Sequence, residues 1–266
     1  MSDPRRLDFC RSLAREAGRL AHTGFGASAA ALKGRHDIVT SMDSKVEGFV
    51  RAAIAERYPT EAVVGEEEGG RAGDAVWLVD PIDGTANYAR GIPRYCVSIG
   101  FVERGIPVVG AIYDPSHDVL YSAASGAGAF RNGSPIAVSD CAALDEATVE
   151  CGWSTRRSTD DYVALVGRVL HAGCAFRRAG SGALGLADVA SGACEGYCEL
   201  HINAWDCAAG IVLVREAGGA TNDFFAGDGM TKGNALIATN AALSRSLASI
   251  IGIAIAHRDE RGGGKS

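Results

Sequence analysis

Trp77-Leu78-Val79-Asp80-Pro81-Ile82-Asp83-Gly84-Thr85 is the stretch on which the reading of this chain turns. Its apolar start reads as a buried strand that runs straight into two aspartates, with Pro81 between them and Gly-Thr behind. Two ionised carboxylates this close repel each other, and apolar neighbours at a strand end desolvate both. Either one pKa rises or a cation sits between them. Oxygen-only donors suit a hard ion such as Mg2+. Gly84 and Thr85 then open a helix, whose free N–H groups and positive dipole end favour an anion. Taken alone, the stretch has a plainer reading, an Asp helix cap on a surface turn.

Two further pieces lie outward from it. Gly65-Glu66-Glu67-Glu68 closes a short strand before Trp77, and Trp205-Asp206-Cys207-Ala208-Ala209-Gly210 puts an aspartate at a helix start. Singly, the first is a solvated turn and the second an N-cap on a closely packed helix. If Glu66, Asp80, Asp83 and Asp206 converge, four carboxylates share one cleft. Buried charges of one sign are not tolerated there without metal.

Periodicity supplies the frame. Residues 5–24 read as a helix with Leu7, Leu13, Ala17, Leu20 and Ala21 inward. Residues 43–58 read as another, with Val46, Phe49, Val50, Ala53 and Ile54 inward, Asp43 at its start and Pro59 after its end. Short apolar runs from Ala62 to Arg131, with a turn at Asn132-Gly133, predict a largely antiparallel sheet flanked by helices. Beyond residues 140–147, helices near 160–171, 182–192 and 206–217 alternate with strands near 148–151, 174–178, 196–200 and 234–238. The expectation is an α+β half over residues 1–145 and an α/β half over 146–266, ending in a frayed tail, HRDERGGGKS.

Composition bounds the rest. The 266 residues allow one or two domains at about 150 residues each. Hydrophobic residues at 47% and charged residues at 22% exclude a disordered chain. Acidic residues outnumber basic ones, 32 to 26, and no Lys/Arg cluster is dense enough to track a phosphate backbone, so a nucleic-acid partner is not expected. An acidic chain still takes an anionic substrate if metal ions reverse the sign locally. The eight cysteines are spread along the chain, unlike a disulfide scaffold. No apolar run follows the N-terminal arginines, and the longest one, Leu247 to Ala256, is too short for a bilayer. A soluble, cytoplasmic protein without a membrane partner is expected.

WLVDPIDGT, GEE, and WDCAAG followed by REAGG together resemble the inositol monophosphatase family of metal-dependent, lithium-sensitive sugar phosphatases, over roughly residues 10–240. The resemblance implies the layered α-β-α-β-α fold shared with fructose bisphosphatase. It implies two or three Mg2+ ions, with Mn2+ able to replace them, and a homodimer acting on a small phosphate ester. Implied metal ligands are Glu66, Asp80, the Ile82 carbonyl, Asp83 and Asp206. Gly84 and Thr85 match the phosphate-holding amides. Lys33-x-x-x-Asp37-x-Val39-Thr40-x-x-Asp43 resembles a family loop in which Asp43 pairs with Thr85 to orient the attacking water and Lys33 is a counter-charge. Glu66 with the Thr85–Asp43 pair would accept the water's proton. Glu199 matches the glutamate that binds substrate hydroxyls, and the Gly180-Ser181 turn matches backbone lying along the sugar. Asp83 and Asp206 also border the substrate.

The implied reaction is Mg2+-dependent hydrolysis of inositol 1-phosphate or a similar polyol monophosphate. Histidinol phosphate, fructose 1,6-bisphosphate and a 3′-phosphoadenosine nucleotide remain alternative substrates. Gly185, where many bacterial relatives carry Asp, Glu195, and the segment His201-Ile202-Asn203 depart from the family pattern and leave the substrate open. Two rivals differ in class: a non-catalytic binding module, and a zinc or redox protein on Cys194, Cys198, His201 and Cys207. Arg177 and Arg178 are expected at a dimer interface or a neighbouring site, Trp153 in the core, and the cysteines as small buried hydrophobes.

Overall fold

The computed structural model describes residues 4–27, 30–34 and 37–256, with backbone alone for 30–34 and 37–39. In chain order the elements are α1 (Pro4–His22), β1 (Ala30–Gly34), β2 (Asp37–Thr40), α2 (Ser41–Arg57), β3 (Ala62–Gly65), β4 (Ala75–Asp83), α3 (Thr85–Ala89), β5 (Cys96–Glu103), β6 (Ile106–Asp114), β7 (Val119–Ala124), β8 (Gly128–Arg131) and β9 (Ser134–Ile136). There follow β10 (Thr148–Cys151), α4 (Thr159–His171), β11 (Ala175–Arg177), α5 (Gly182–Ala190), β12 (Gly196–Ile202), α6 (Ala204–Glu216), β13 (Ala220–Thr221), α7 (Gly229–Lys232), β14 (Asn234–Thr239) and α8 (Ser244–Ile251).

Among the described residues the strands form a β1–β2 hairpin, a seven-stranded sheet in the order β3 to β9, and a five-stranded sheet ordered β11-β10-β12-β14-β13. In the larger sheet only β3–β4 is parallel. In the smaller one β10 runs parallel to β11 and β12, while β14 is antiparallel to β12 and β13. That second sheet is therefore mixed, and its strands alternate with helices along the chain as expected.

The helices sort into layers by their apolar faces. Leu7, Cys10, Leu13, Ala14, Ala17 and Ala21 of α1, with Val46, Val50 and Ile54 of α2, pack on one face of the larger sheet. Phe49, expected inward, lies at the rim with 36% exposure, and Leu20 is half-buried. Helices α5 and α6 cover the other face and carry the second sheet on their far side. Helices α4 and α8 close the stack through Leu165, Val169, Leu247 and Ile251. The order is helix, sheet, helix, sheet, helix, as the resemblance implied.

Helix α6 is apolar on nearly all sides, with Cys207 through Val214 buried, because it has a sheet on each flank. The small residues after Asp206 have a steric reason. A Cβ at Gly100 or Gly110 of the larger sheet would collide with Ala208 or the Ala209 backbone, and one at Gly210 would strike Leu186 of α5. The β1–β2 hairpin and α8 were not read from the sequence. All eight cysteines are free, and all but half-buried Cys141 are buried, as expected. Burial pushes the Cys10 and Cys194 thiols up to about 12.

Candidate active site

The decisive strand contains a bulge. Asp80 pairs with Ser98 and Asp83 with Cys96, so three steps along β4 oppose two along β5. On a regular strand, side chains an odd number of residues apart face opposite sides. The extra residue turns both carboxylates into one cleft, and Pro81, which has no N–H to donate, is tolerated there. The Ile82 N–H donates to Asp80 Oδ1 at 3.0 Å. Gly84, at φ 90°, caps α3 in the left-handed region, and a Cβ there would meet Arg94 O and Gly180 O.

Asp43 and Asp206 come from two helix starts built the same way. Each sits at the third helical position rather than at the cap where the sequence placed it. Thr40 caps α2, and Asp43 Oδ2 accepts from the Thr40 amide (2.8 Å) and hydroxyl (2.6 Å). Asn203 begins α6, and Asp206 Oδ2 accepts from its amide (3.0 Å) and side chain (3.2 Å). One oxygen of each carboxylate is thereby spent on the capping box, and the other is left for a partner. Asp43 Oδ1 lies 3.3 Å from the Thr85 hydroxyl, which also reaches the Ile82 carbonyl at 2.8 Å.

Glu66, Asp80 and Asp206 present oxygens that all lie within 4.8 Å of one another. Burial, then Glu66, Asp83 and Asp206, drive the Asp80 carboxyl well above its usual range. Burial and then Asp83 push Asp206 up to about 7. A donor set of hard oxygens that ionises so reluctantly is what a divalent cation would relieve, so these residues fit a magnesium-type ion.

Asp83 is placed differently. Its Oδ2 accepts from the Ser181 hydroxyl (2.5 Å) and the Ala183 amide (2.7 Å), and its Oδ1 from the Gly182 amide (3.2 Å). Cys96 Sγ lies 3.7 Å from Oδ2. Asp83 thus borders the acidic group while anchored on the N-terminus of α5. Burial raises its pKa, and the Ser181, Ala183 and Gly182 hydrogen bonds oppose that rise.

The cleft, about 170 Å³, is lined by Glu66, Asp80, Ile82, Asp83, Gly84, Thr85, Gly180, Ser181, Glu199 and Asp206 from the sequence reading. Burial pushes Glu199 up to about 8, against a 2.6 Å hydrogen bond from the Tyr197 hydroxyl. The Lys33 side chain lies outside the described residues, as do the tail residues from 257 onward.

Sequence reasoning missed Glu150, Tyr197 and the placing of Trp153, which is half-buried in the cleft wall and not in the core. Glu150 accepts from Arg177 Nε (2.8 Å) and the Ala179 amide (3.2 Å), while Arg177 and Arg94 both hold Asp188. Arg177 is thus paired with Glu150 and Asp188, and exposed Arg178 lies at the cleft. A Cβ at Gly185 would collide with the Tyr197 ring and crowd Glu150, which explains the glycine there. The one available signal was a lone Glu inside the apolar strand Thr148–Cys151. The zinc alternative fails: among the described residues the only side-chain group that could hold a metal is the acidic one, and His201 Nε2 is spent on the Lys232 carbonyl at 2.9 Å. No helix of the described residues is long and apolar enough to cross a membrane.

Residues 5–256 match the family model described as the inositol monophosphatase family. The Nus factor SuhB of Escherichia coli (strain K12) is 35% identical over 250 residues, covering 91% of this chain and 93% of that protein. An inositol-1-monophosphatase of Mesorhizobium japonicum is 35% identical over 242 residues, covering 89% of each. Among solved structures, the extragenic suppressor protein suhB from Bartonella henselae superposes with a TM-score of 0.86 at 32% identity, covering 93% of this chain and 98% of that one. The Thermotoga maritima IMPase gives 0.84 at 31% identity, covering 93% and 97%.

Proposed function

The chain belongs to the inositol monophosphatase family, and from that premise we propose that it hydrolyses inositol 1-phosphate or a closely similar polyol monophosphate with Mg2+. The observation that carries this is the meeting of Glu66, Asp80 and Asp206, brought from three distant segments to within 4.8 Å. These three carboxylates and the Ile82 carbonyl would hold the ions, with Asp83 completing the set from its anchored position. Ions so held would supply a water-derived nucleophile near neutral pH and would offset the phosphoryl charge.

The chain's own groups do the rest. The Thr85 hydroxyl has a single proton and two acceptors in reach, Asp43 Oδ1 and Ile82 O, so its lone pairs are free to orient the attacking water. Glu66 is half-buried at the cleft and takes that water's proton. The amides of Gly84 and Thr85 hold the phosphate. Glu199 faces the substrate hydroxyls with its carboxylate fixed by Tyr197, which favours a polyol over the other esters. The family resemblance also supports, within this proposal, a homodimer, a cytoplasmic setting and inhibition by lithium.

Phosphate release from inositol 1-phosphate, histidinol phosphate, fructose 1,6-bisphosphate and 3′-phosphoadenosine 5′-phosphate, with and without Mg2+, tests the reading. Mg2+-dependent release, fastest from inositol 1-phosphate, is expected. Faster release from another ester overturns the substrate assignment, and no release from any overturns the activity.

A further inference from the structure

Helix α2 carries a second carboxylate one turn beyond Asp43. Glu47 is fully buried, yet the function above does not use it. Its Oε2 accepts from the Glu67 amide at 2.7 Å, and its Oε1 from the Glu68 amide at 3.0 Å and from Arg51 Nε at 2.8 Å. Arg51 donates onward to Val63 O at 3.3 Å and Gly69 O at 2.5 Å, and pairs with the Glu68 carboxylate at 3.4 Å. A Cβ at Gly65 would run into the Glu47 carboxylate. The Glu66 amide itself donates to Val79 O at 3.2 Å, the residue before Asp80. Every N–H from Glu66 to Glu68 is therefore held, one by β4 and two by Glu47.

We propose that Glu47 is the positioning residue for Glu66, fixing the turn that carries it so that one rigid helix sets both the Asp43–Thr85 pair and the reach of the metal-binding glutamate. The inference rests on the function proposed above. Asp43 and Glu47 are one helical turn apart on α2, about 6 Å along its axis. A shift of the Gly65–Gly69 turn relative to α2 would change the distance from Glu66 to Asp80 and Asp206 without touching any ligand. Partners of this kind, which orient ligands they do not replace, typically govern metal affinity by about 10- to 100-fold.

Glu47→Gln tests it. The glutamine offers one acceptor oxygen where two amides and a guanidinium need acceptors, and turns an N–H toward one of them. Mg2+ binding is read by titration calorimetry on the folded protein, alongside kcat and the Mg2+ concentration for half activity. The control is Glu61→Gln, which weakens a comparable pairing with Arg6 (2.6 Å) and Trp77 (2.7 Å) away from the cleft.

We expect Mg2+ affinity to fall about tenfold in Glu47→Gln with kcat at saturating Mg2+ changed by less than about threefold, while Glu61→Gln lowers thermal stability and leaves affinity at the wild-type value. Unchanged affinity in Glu47→Gln, or an equal loss in Glu61→Gln, overturns the inference and leaves the function standing. Absent Mg2+ binding in the wild type overturns the function and the inference with it. If Glu47→Gln does not fold, Arg51→Lys carries the test, with weakened Mg2+ binding expected and wild-type binding overturning.

Discussion

At the scale of the residue, Asp83 accepts three hydrogen bonds from the start of α5. Asp83→Asn would keep the volume but set an NH2 group against the Ala183 amide in one orientation or the Gly182 amide in the other, besides losing a charge. A fall in turnover of about 10²-fold at saturating Mg2+ is expected, with the fold intact by circular dichroism. The cleft acids also make a pH prediction. Asp206 and Glu199 have folded pKa values of about 7 and 8, above their usual 3.8 and 4.5. A carboxyl raised on folding binds more protons folded than unfolded, so the metal-free protein should lose stability as pH climbs from about 4 to 8. Mg2+ would take the place of the proton on Asp206, so its stabilising effect should be larger at pH 8 than at pH 6. Melting curves with chelator and with Mg2+ at both values check this, and a pH-independent difference would count against it. Glu66, Asp80, Asp83 and Asp206 were legible from residue type and surroundings as acids that would need a metal if they met, while Glu199 was legible only through the family resemblance. Tyr197 and Trp153 were not, since nothing in a chain says which aromatic ring lines a cleft and which fills a core.

At the scale of the element, the helix starts join stability to chemistry. Thr40→Ala removes the hydroxyl that reaches Asp43 Oδ2 and accepts from the Met42 amide at 3.2 Å. It should cost about 1 kcal/mol of stability and also lower turnover, because Asp43 is freed to rotate from Thr85. Denaturant melts and steady-state rates measured on one preparation check both halves of the expectation. Gly110→Ala belongs here too: its Cβ has no space against the Ala209 backbone, and the strain should cost about 1–3 kcal/mol. Helices α1 and α2 were readable from their spacing of apolar residues, and α4, α5 and α6 from their alternation with strands. Helix α8 was not, because its eight residues bury only Leu247 and Ile251. The bulge in β4 was hidden because a register is a property of two strands, and the sequence shows one at a time.

At the scale of the whole molecule, the layered stack leaves little thiol surface. Cys141 alone among the eight cysteines is not buried. A thiol reagent should therefore label about one cysteine per chain under native conditions and all eight after denaturation. Several fast-reacting thiols would contradict the layering. That layering was expected from the family resemblance alone, and α6, with small and apolar residues on every side, shows why it holds: it needs a neighbour on every side. Helix α6 has one more consequence. Its first turn delivers Asp206, more than a hundred residues along the chain from Asp80 and Glu66, and it can do so only once it is wedged between both sheets. Contacts so remote in sequence are slow to close. During renaturation, uptake of a divalent ion should accordingly trail the recovery of helical signal, and it would serve as a clock for the final step of assembly.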